Sequence, residues 1–228
     1  MKKPRNACLD SLRGLAIVLM IIDHSADILF HVSIDPSTIR MATRLSMPLF
    51  CGLMGYFLVS QEKVNWHRFY QLCLATLAIN LVFFTIYGRL EILASLLVCY
   101  TLFLAAGRLL ALAVVAVWFF QLDGSAQLFD YPLSVVLSCV AQGMVLRLHG
   151  WRVALLSGGA ITLAALWVAP PSVYVLFFVL PATLAIAWAA AHPQVTVSGL
   201  ERIGHYPLTV YLIQYYVLLA LGQQLYQQ

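Results

Sequence analysis

The chain has 228 residues, of which 62% are hydrophobic and only 10% are charged, and its mean hydropathy is +0.89. A soluble domain is usually about 25% charged, so this composition excludes an ordinary soluble protein and predicts a membrane protein whose solvent is lipid. The formal net charge of +4 does not predict a nucleic-acid partner, because basic residues on a membrane protein mainly set its orientation.

Polar breaks divide the chain into nine apolar segments, and we interpret each as a transmembrane helix. A bilayer core needs about 20 apolar residues per helix, and an open sheet cannot span it. Two short segments meet at Gly107 and Arg108, so counts of eight and ten stay open. We predict an all-α, polytopic transmembrane helical bundle of about nine spans that forms one domain over residues 1–228. The segments are 11–31, 42–60, 69–88, 90–106, 109–121, 131–147, 152–169, 172–190 and 205–222.

The basic residues predict a cytoplasmic N-terminus, because lysine and arginine concentrate at the cytoplasmic ends of transmembrane helices. With that orientation nine of the 13 basic residues are cytoplasmic: Lys2, Lys3, Arg5, Lys63, Arg68, Arg108, Arg147, Arg152 and Arg202. The outer ends carry Arg40, Arg44 and Arg89, and Arg13 lies within the start of the first span. This asymmetry favours an odd number of spans.

The stretch Leu9–His31, LDSLRGLAIVLMIIDHSADILFH, which includes the first apolar segment, is unusual because several ionisable side chains lie within a mostly apolar sequence. They are Asp10, Arg13, Asp23, His24, Asp27 and His31. Ionisable groups at such depth are costly unless they have partners, and they usually mark function. The alternative is that Asp10 and Arg13 are a helix-start cap and a snorkelling cation, with the remaining groups at the outer interface.

The spacing within this segment favours function. Arg13 and His24 are eleven residues apart, so they share one helix face at a separation of about 16 Å along the axis. Two groups on one face could hold successive parts of a long ligand such as acyl-coenzyme A. His24, Asp27 and His31 also follow the i, i+3, i+7 pattern of one face. We predict that His24 is a general base oriented by Asp27 or Asp23, and that Arg13 binds the donor.

The second apolar segment begins near Arg44 and contains Gly52 and Gly55. If the first two helices are antiparallel, Arg44 comes to the depth of His24, where it could anchor an acceptor or stabilise an oxyanion. The alternative is an interfacial cation paired with Asp35 or Asp27. The two glycines predict a close approach by a neighbouring helix.

Two further features concern ligands. The five cysteines are scattered, odd in number and mostly inside apolar segments, so we predict neither a disulfide framework nor a metal site. In the last segment Gln214 belongs to a polar stripe with Tyr206, Tyr211 and Tyr215. Tyrosines near helix ends are commonly interface anchors, which leaves Gln214 as a candidate substrate-binding residue.

The stretches LDSLRGLAIVLMIIDHSADILF and RLSMPLFCGLMGYFLVS resemble the opening two helices of TraX proteins, the pilin acetylases of conjugative plasmids. More loosely, they resemble the acyltransferase-three family, whose first helix has the same interval as Arg13 and His24. The Asp23-His24 pair and the PLF at 48–50 are more similar to TraX. The final helix of these families often carries a histidine where this chain has Gln214.

The resemblance implies a multi-pass acetyltransferase of the bacterial inner (cytoplasmic) membrane, with His24 as the essential base. The donor substrate would be cytoplasmic acetyl-CoA, with no metal, and the partners would be membrane lipids and an acyl acceptor. We expect the acceptor to be the N-terminus of a conjugative pilin. O- or N-acetylation of an envelope sugar or polysaccharide is the alternative enzyme activity.

A function of another class is a proton-coupled transporter, in which Asp23, His24 and Asp27 would relay protons. Such proteins usually have repeated halves, and the sequence shows no internal repeat. For the enzyme we expect direct transfer without a covalent intermediate, because no serine or cysteine has a clear helical spacing to His24.

Overall fold

The computed structural model describes residues 5–32, 39–61, 64–111, 128–168 and 171–226. These residues are largely α-helical, as predicted, and the only β contact among them is an isolated bridge between Leu90 and Phe129. Short 3₁₀ helices cover Gly107–Leu109 and Pro171–Phe178. The α-helices are α1 (Ala7–Ile28), α2 (Ile39–Thr43), α3 (Ser46–Ser60), α4 (Trp66–Tyr87), α5 (Ile92–Ala106), α6 (Leu133–Val168), α7 (Val179–Ala191), α8 (Ser198–His205) and α9 (Pro207–Tyr226).

Four helical stretches within the described ranges are long and apolar enough to cross a membrane. They are Ile39–Ser60, Trp66–Tyr87, Ile92–Leu109 and Leu133–Leu166, and a shorter apolar helix covers Val175–Ala191. This number is smaller than the nine spans predicted. Most of the predicted segment 109–121 lies outside the described residues, as do Lys2, Lys3 and Lys63, on which the predicted orientation partly depends. The 22 residues of α1 have spanning length but include four charged side chains.

The predicted segments 131–147 and 152–169 occur as two arms of α6, which is interrupted at Gly150. This glycine has φ 81° and ψ 173°, a backbone conformation that residues with a side chain rarely adopt. The two arms are helices that fold back on each other, because Gln142 of the first arm donates a hydrogen bond to the carbonyl oxygen of Ala154 and accepts one of 2.8 Å from Ser157, both of the second arm. The two segments predicted from the polar break therefore occur as two helices.

Two pairs of glycines bring helices into backbone contact. A Cβ atom at Gly55 would collide with the carbonyl oxygen of Val140, and one at Gly143 with that of Gly52, so α3 and α6 touch directly. The close approach predicted from Gly52 and Gly55 is therefore confirmed. In membranes, where lipid is as apolar as the side chains, such small residues let van der Waals packing hold helices together.

The short helix α8 packs directly on the backbone of the N-terminal part of α1, again because glycines lie at the contact. A Cβ atom at Gly14 would collide with the carbonyl oxygen of Leu200, and one at Gly204 with that of Asp10. Asn6 caps α1, because its Oδ1 accepts a hydrogen bond from the Leu9 amide at 3.0 Å. These contacts fix the end of α1 that carries the Arg13 side chain.

Candidate active site

Two cavities lie end to end inside the helical bundle. One has a volume of about 570 Å³ and is lined by Arg13, and we call it the Arg13 chamber. The other has a volume of about 480 Å³ and is lined by His24, and we call it the His24 chamber. Helices α1, α3, α4, α5 and α9 each contribute side chains to both chambers. The two groups that the sequence placed on one helix face therefore lie in successive cavities.

Arg13 is held at the wall of its chamber by three contacts. Its Nη1 atom donates to Asp10 Oδ1 at 2.9 Å and to the carbonyl oxygen of Gly204 at 3.0 Å. Its guanidinium lies over the Phe57 ring, 4.8 Å from the centroid. Asp10 also accepts a hydrogen bond from Arg5, which raises the pKa of that guanidinium. Asp10 is therefore a buried anion shared by two arginines.

The Arg13 chamber combines positive charge with an apolar wall. Arg5, Arg13, Arg68 and His205 line it together with leucine, methionine and phenylalanine side chains. His205 belongs to the end of α8, and its Nε2 atom lies 3.7 Å from Asp10 Oδ2. Guanidinium groups suit phosphate oxygens, and an apolar wall suits an aliphatic arm. The chamber can therefore take a ligand that is anionic at one end and apolar along its length.

His24 makes a hydrogen bond with Gln214 across the α1–α9 interface. The Gln214 Nε2 atom and the His24 Nδ1 atom are 3.0 Å apart. The rings of Tyr211 and Tyr215 lie edge-on to the imidazole, with centroid distances of 6.1 and 6.3 Å. Because Nδ1 is occupied by the amide, Nε2 is the ring nitrogen left to act on a substrate.

The two aspartates beside His24 are held by Arg40. The Arg40 Nε atom donates to Asp23 Oδ1 at 3.3 Å, and its Nη1 atom donates to Asp27 Oδ1 at 2.5 Å. Asp23 also accepts a hydrogen bond of 2.8 Å from Thr43. The role predicted for either aspartate, orienting His24, stays a prediction. The side chain that occupies the orienting position is Gln214. Because α1 ends at Ile28, the predicted helical repeat does not extend to His31.

Arg44 lines the His24 chamber, at the depth that antiparallel packing of the first two helices predicts. Its Nη1 atom donates to the Tyr131 hydroxyl, and its Nη2 atom lies 3.8 Å from Asp23 Oδ2. Within the part of the chain that the structure describes, its buried Nε atom has no hydrogen-bond partner. Of the two alternative partners predicted from the sequence, Asp27 pairs with Arg40 instead, and Asp35 lies outside the described residues.

Glu91 is a buried carboxyl group of the His24 chamber that the sequence did not single out. It is in the turn between α4 and α5, where it accepts hydrogen bonds from the Tyr211 hydroxyl and, at 2.8 Å, from the Leu93 amide. Burial raises the pKa of Glu91 to about 7, although both hydrogen bonds act in the opposite direction. The amide of Asn80, which accepts from the Glu91 backbone at 2.8 Å, fixes this turn against α4.

Arg40 is the other site residue that the sequence reasoning missed, because it was counted only as an outer basic residue. Its side chain is only 8% exposed, which an interfacial cation would not be. The signal that could have indicated it is the unexplained pair Asp23 and Asp27, since two carboxylates one turn apart in a membrane need a cation. Among the described residues, no group of three or more histidine, cysteine, aspartate or glutamate side chains could hold a metal ion.

The chain was compared with known families, curated proteins and solved structures. The family model described as heparan-alpha-glucosaminide N-acetyltransferase, catalytic, matches residues 5–147. The matched range covers more than half of the chain and includes Arg13, His24 and Arg44, but it ends before Gln214. No curated protein and no solved structure matches the chain.

Proposed function

The chain belongs to the heparan-alpha-glucosaminide N-acetyltransferase catalytic-domain family, a family of membrane acetyltransferases, and from this premise we propose that it transfers an acetyl group between its two chambers. The donor is acetyl-CoA, bound in the Arg13 chamber, and the acceptor is a primary amine in the His24 chamber. The observation that carries the proposal is the end-to-end arrangement of an arginine-rich cavity and a histidine-containing cavity in one helical bundle.

The Arg13 chamber is suited to the donor by charge and by shape. Acetyl-CoA has phosphates at one end and a long, flexible arm that ends in the thioester. Arg5, Arg13 and Arg68 offer guanidinium groups to the phosphates, and the leucine and phenylalanine side chains offer an apolar wall to the arm. The separation of about 16 Å along α1 between Arg13 and His24 is a distance that such an arm can cover.

We assign the role of general base to the His24 side chain. Its Nε2 atom removes a proton from the acceptor amine as the amine nitrogen attacks the thioester carbonyl carbon. The carbon–sulfur bond then breaks, the acetyl group stays on nitrogen, and the leaving thiolate takes up a proton, so no group is oxidised or reduced. The Nε atom of Arg44, which has no hydrogen-bond partner among the described residues, is the donor that we assign to the developing oxyanion.

Gln214 is the residue that we assign to positioning His24. For Nε2 to accept a proton, Nδ1 must carry one, so the amide must present its oxygen to Nδ1. Gln214 Oε1 has no other hydrogen-bond partner among the described residues, and the oxygen and nitrogen ends of an amide have the same shape. Rotation of the amide by half a turn therefore supplies this arrangement without a change in packing.

The acceptor class follows from two different observations. The printed name of the matched family refers to an amino sugar, a glucosaminide, which supports an envelope glycan as the acceptor. The likeness of the first two helices to TraX supports the N-terminal amine of a pilin in the bacterial inner membrane. Both acceptors present a primary amine, and His24 could act on either in the same way.

The test is transfer of radiolabelled acetate by the purified protein in nanodiscs. Wild type, His24→Ala and Gln142→Leu would each be incubated with labelled acetyl-CoA and either an amino-sugar oligosaccharide or a peptide with a free N-terminus. Gln142 is a buried amide that lies in neither chamber, so its variant is the matched control. We expect label on one acceptor with wild type and the control, and none with His24→Ala. Transfer that survives in His24→Ala would contradict the assigned base.

A further inference from the structure

Phe50 lies between the two chambers. Among the described residues, it is the one that lines both. It belongs to α3. One turn before it, Ser46 and Met47 line the His24 chamber, and one turn after it, Leu53 and Met54 line the Arg13 chamber. The boundary between the cavities therefore falls at the level of the Phe50 ring.

The same boundary is found on the helices opposite α3. On α5, Ile92 and Leu93 belong to the His24 chamber, and Leu96 to the Arg13 chamber. Apolar side chains therefore surround the junction, and the charged groups lie away from it at Arg13 on one side and His24 on the other. A ligand arm that extends from the first chamber to His24 has to pass the Phe50 ring.

We propose that the Phe50 ring is a partition between the two chambers and that it limits the acyl group that can cross to a short one. The limit on acyl size rests on the proposed function, whereas the partition does not. The acyl group enters the His24 chamber ahead of the arm, so an acetyl group fits between the Phe50 ring and His24, and each further methylene needs more space there. One methylene in a tight apolar pocket changes specificity by about 10- to 200-fold.

The partition can be tested without any enzymatic assay. Wild type, Phe50→Ala and Phe83→Ala would be reconstituted into vesicles that contain a pH-sensitive dye, and proton leak would be measured after a pH jump. Phe83 lines the His24 chamber alone, so its truncation enlarges one cavity without joining the two. We expect a several-fold faster leak with Phe50→Ala than with the other two proteins. Equal leak in all three would overturn the partition.

The limit on acyl size is tested with donors of increasing chain length. With acetyl-, butyryl- and hexanoyl-CoA, we expect the ratio of butyryl to acetyl transfer to rise at least about tenfold in Phe50→Ala. The ratio should stay at the wild-type value in the control Phe103→Ala, whose ring packs on the hydrophobic core and lines neither chamber. Phe50→Leu, a smaller change, should give an intermediate ratio and replaces the alanine variant if that variant does not fold. An unchanged ratio in both Phe50 variants would overturn the size limit.

The proton-leak and donor-ratio measurements distinguish a failure of this inference from a failure of the proposed function. If wild type transfers no acyl group to any acceptor but Phe50→Ala leaks, the proposed function and the size limit fail while the partition stands. If wild type transfers acetate and the Phe50 variants neither leak nor change the donor ratio, the proposed function stands and the whole inference fails.

Discussion

Replacing Gln214 with leucine tests the contact that positions His24. Leucine has a similar size but cannot bond to Nδ1, so the imidazole loses the hydrogen bond of 3.0 Å that joins α1 to α9. A neutral hydrogen bond contributes about 1 kcal/mol, and a misoriented base adds to the loss. Because each 1.36 kcal/mol changes a rate tenfold, a loss of about 1 to 3 kcal/mol of transition-state stabilisation predicts a fall in kcat of about 5- to 160-fold.

The assay is the initial rate of acetyl transfer as a function of donor and of acceptor concentration. Because Gln214 does not line the Arg13 chamber, we expect the KM for acetyl-CoA to be unchanged while kcat falls. Gln142→Leu is the control. Its amide bonds to the carbonyl oxygen of Ala154 and to Thr183, away from both chambers, so it should lower thermal stability without this effect on kcat.

The conservative variant Gln214→Glu adds a second measurement, the dependence of kcat on pH, which would not change if Gln214 had only a structural role. A carboxylate accepting from Nδ1 makes the imidazole more basic, so the acid limb of kcat against pH should shift to higher pH. A wild-type kcat and pH profile in both Gln214 variants, with both proteins folded, would refute the positioning role.

Three further variants test the remaining contacts. Arg40→Met leaves Asp27, which is about half exposed, without its cation and leaves Asp23 with Arg44 alone, so we expect a fall in Tm that corresponds to less than the roughly 3 to 5 kcal/mol lost when a fully buried pair is broken. The pKa of Glu91 is raised from 4.5 to about 7, so the fold loses stability as the pH rises through that range, and Glu91→Gln should give a flatter profile of Tm against pH. Arg13→Lys keeps the charge but loses the planar guanidinium, whose Nη1 atom bonds to both Asp10 and Gly204 and whose face lies over the Phe57 ring, so we expect the KM for acetyl-CoA to rise about tenfold with little change in kcat.

The helical class and part of the site could be predicted because they depend on local sequence. Hydropathy alone indicates helices in lipid, and a repeat of 3.6 residues places Arg13 and His24 along one element. Arg44 followed from the antiparallel packing of consecutive helices. These residues are all within 60 positions of the N-terminus, where the order of the chain determines which neighbours meet.

The contacts between distant parts of the chain could not be predicted in this way. Glu91 and Tyr211 are separated by 120 positions, and His24 and Gln214 by 190. The residue spacing within one segment does not indicate which residue of a helix more than 100 positions away will contact that segment. Arg40 was missed for a related reason, since a basic residue near the end of an apolar segment reads as an interfacial cation. Only its burial distinguishes it.

The ion pairs of α1 explain why an expensive set of charges is kept in a membrane helix. A buried ion pair rarely adds net stability, because desolvation costs as much as the pairing returns, but breaking one is strongly destabilising. Asp10 is held by Arg5 and Arg13 at one end of α1, and Asp23 by Arg40 at the other. Pairs at both ends leave α1 with one rotation about its axis, and that rotation turns His24 toward α9. Under the proposed function, these ion pairs hold α1 in the orientation that brings the imidazole of His24 to the amide of Gln214, and this contact is the one that the Gln214 variants test.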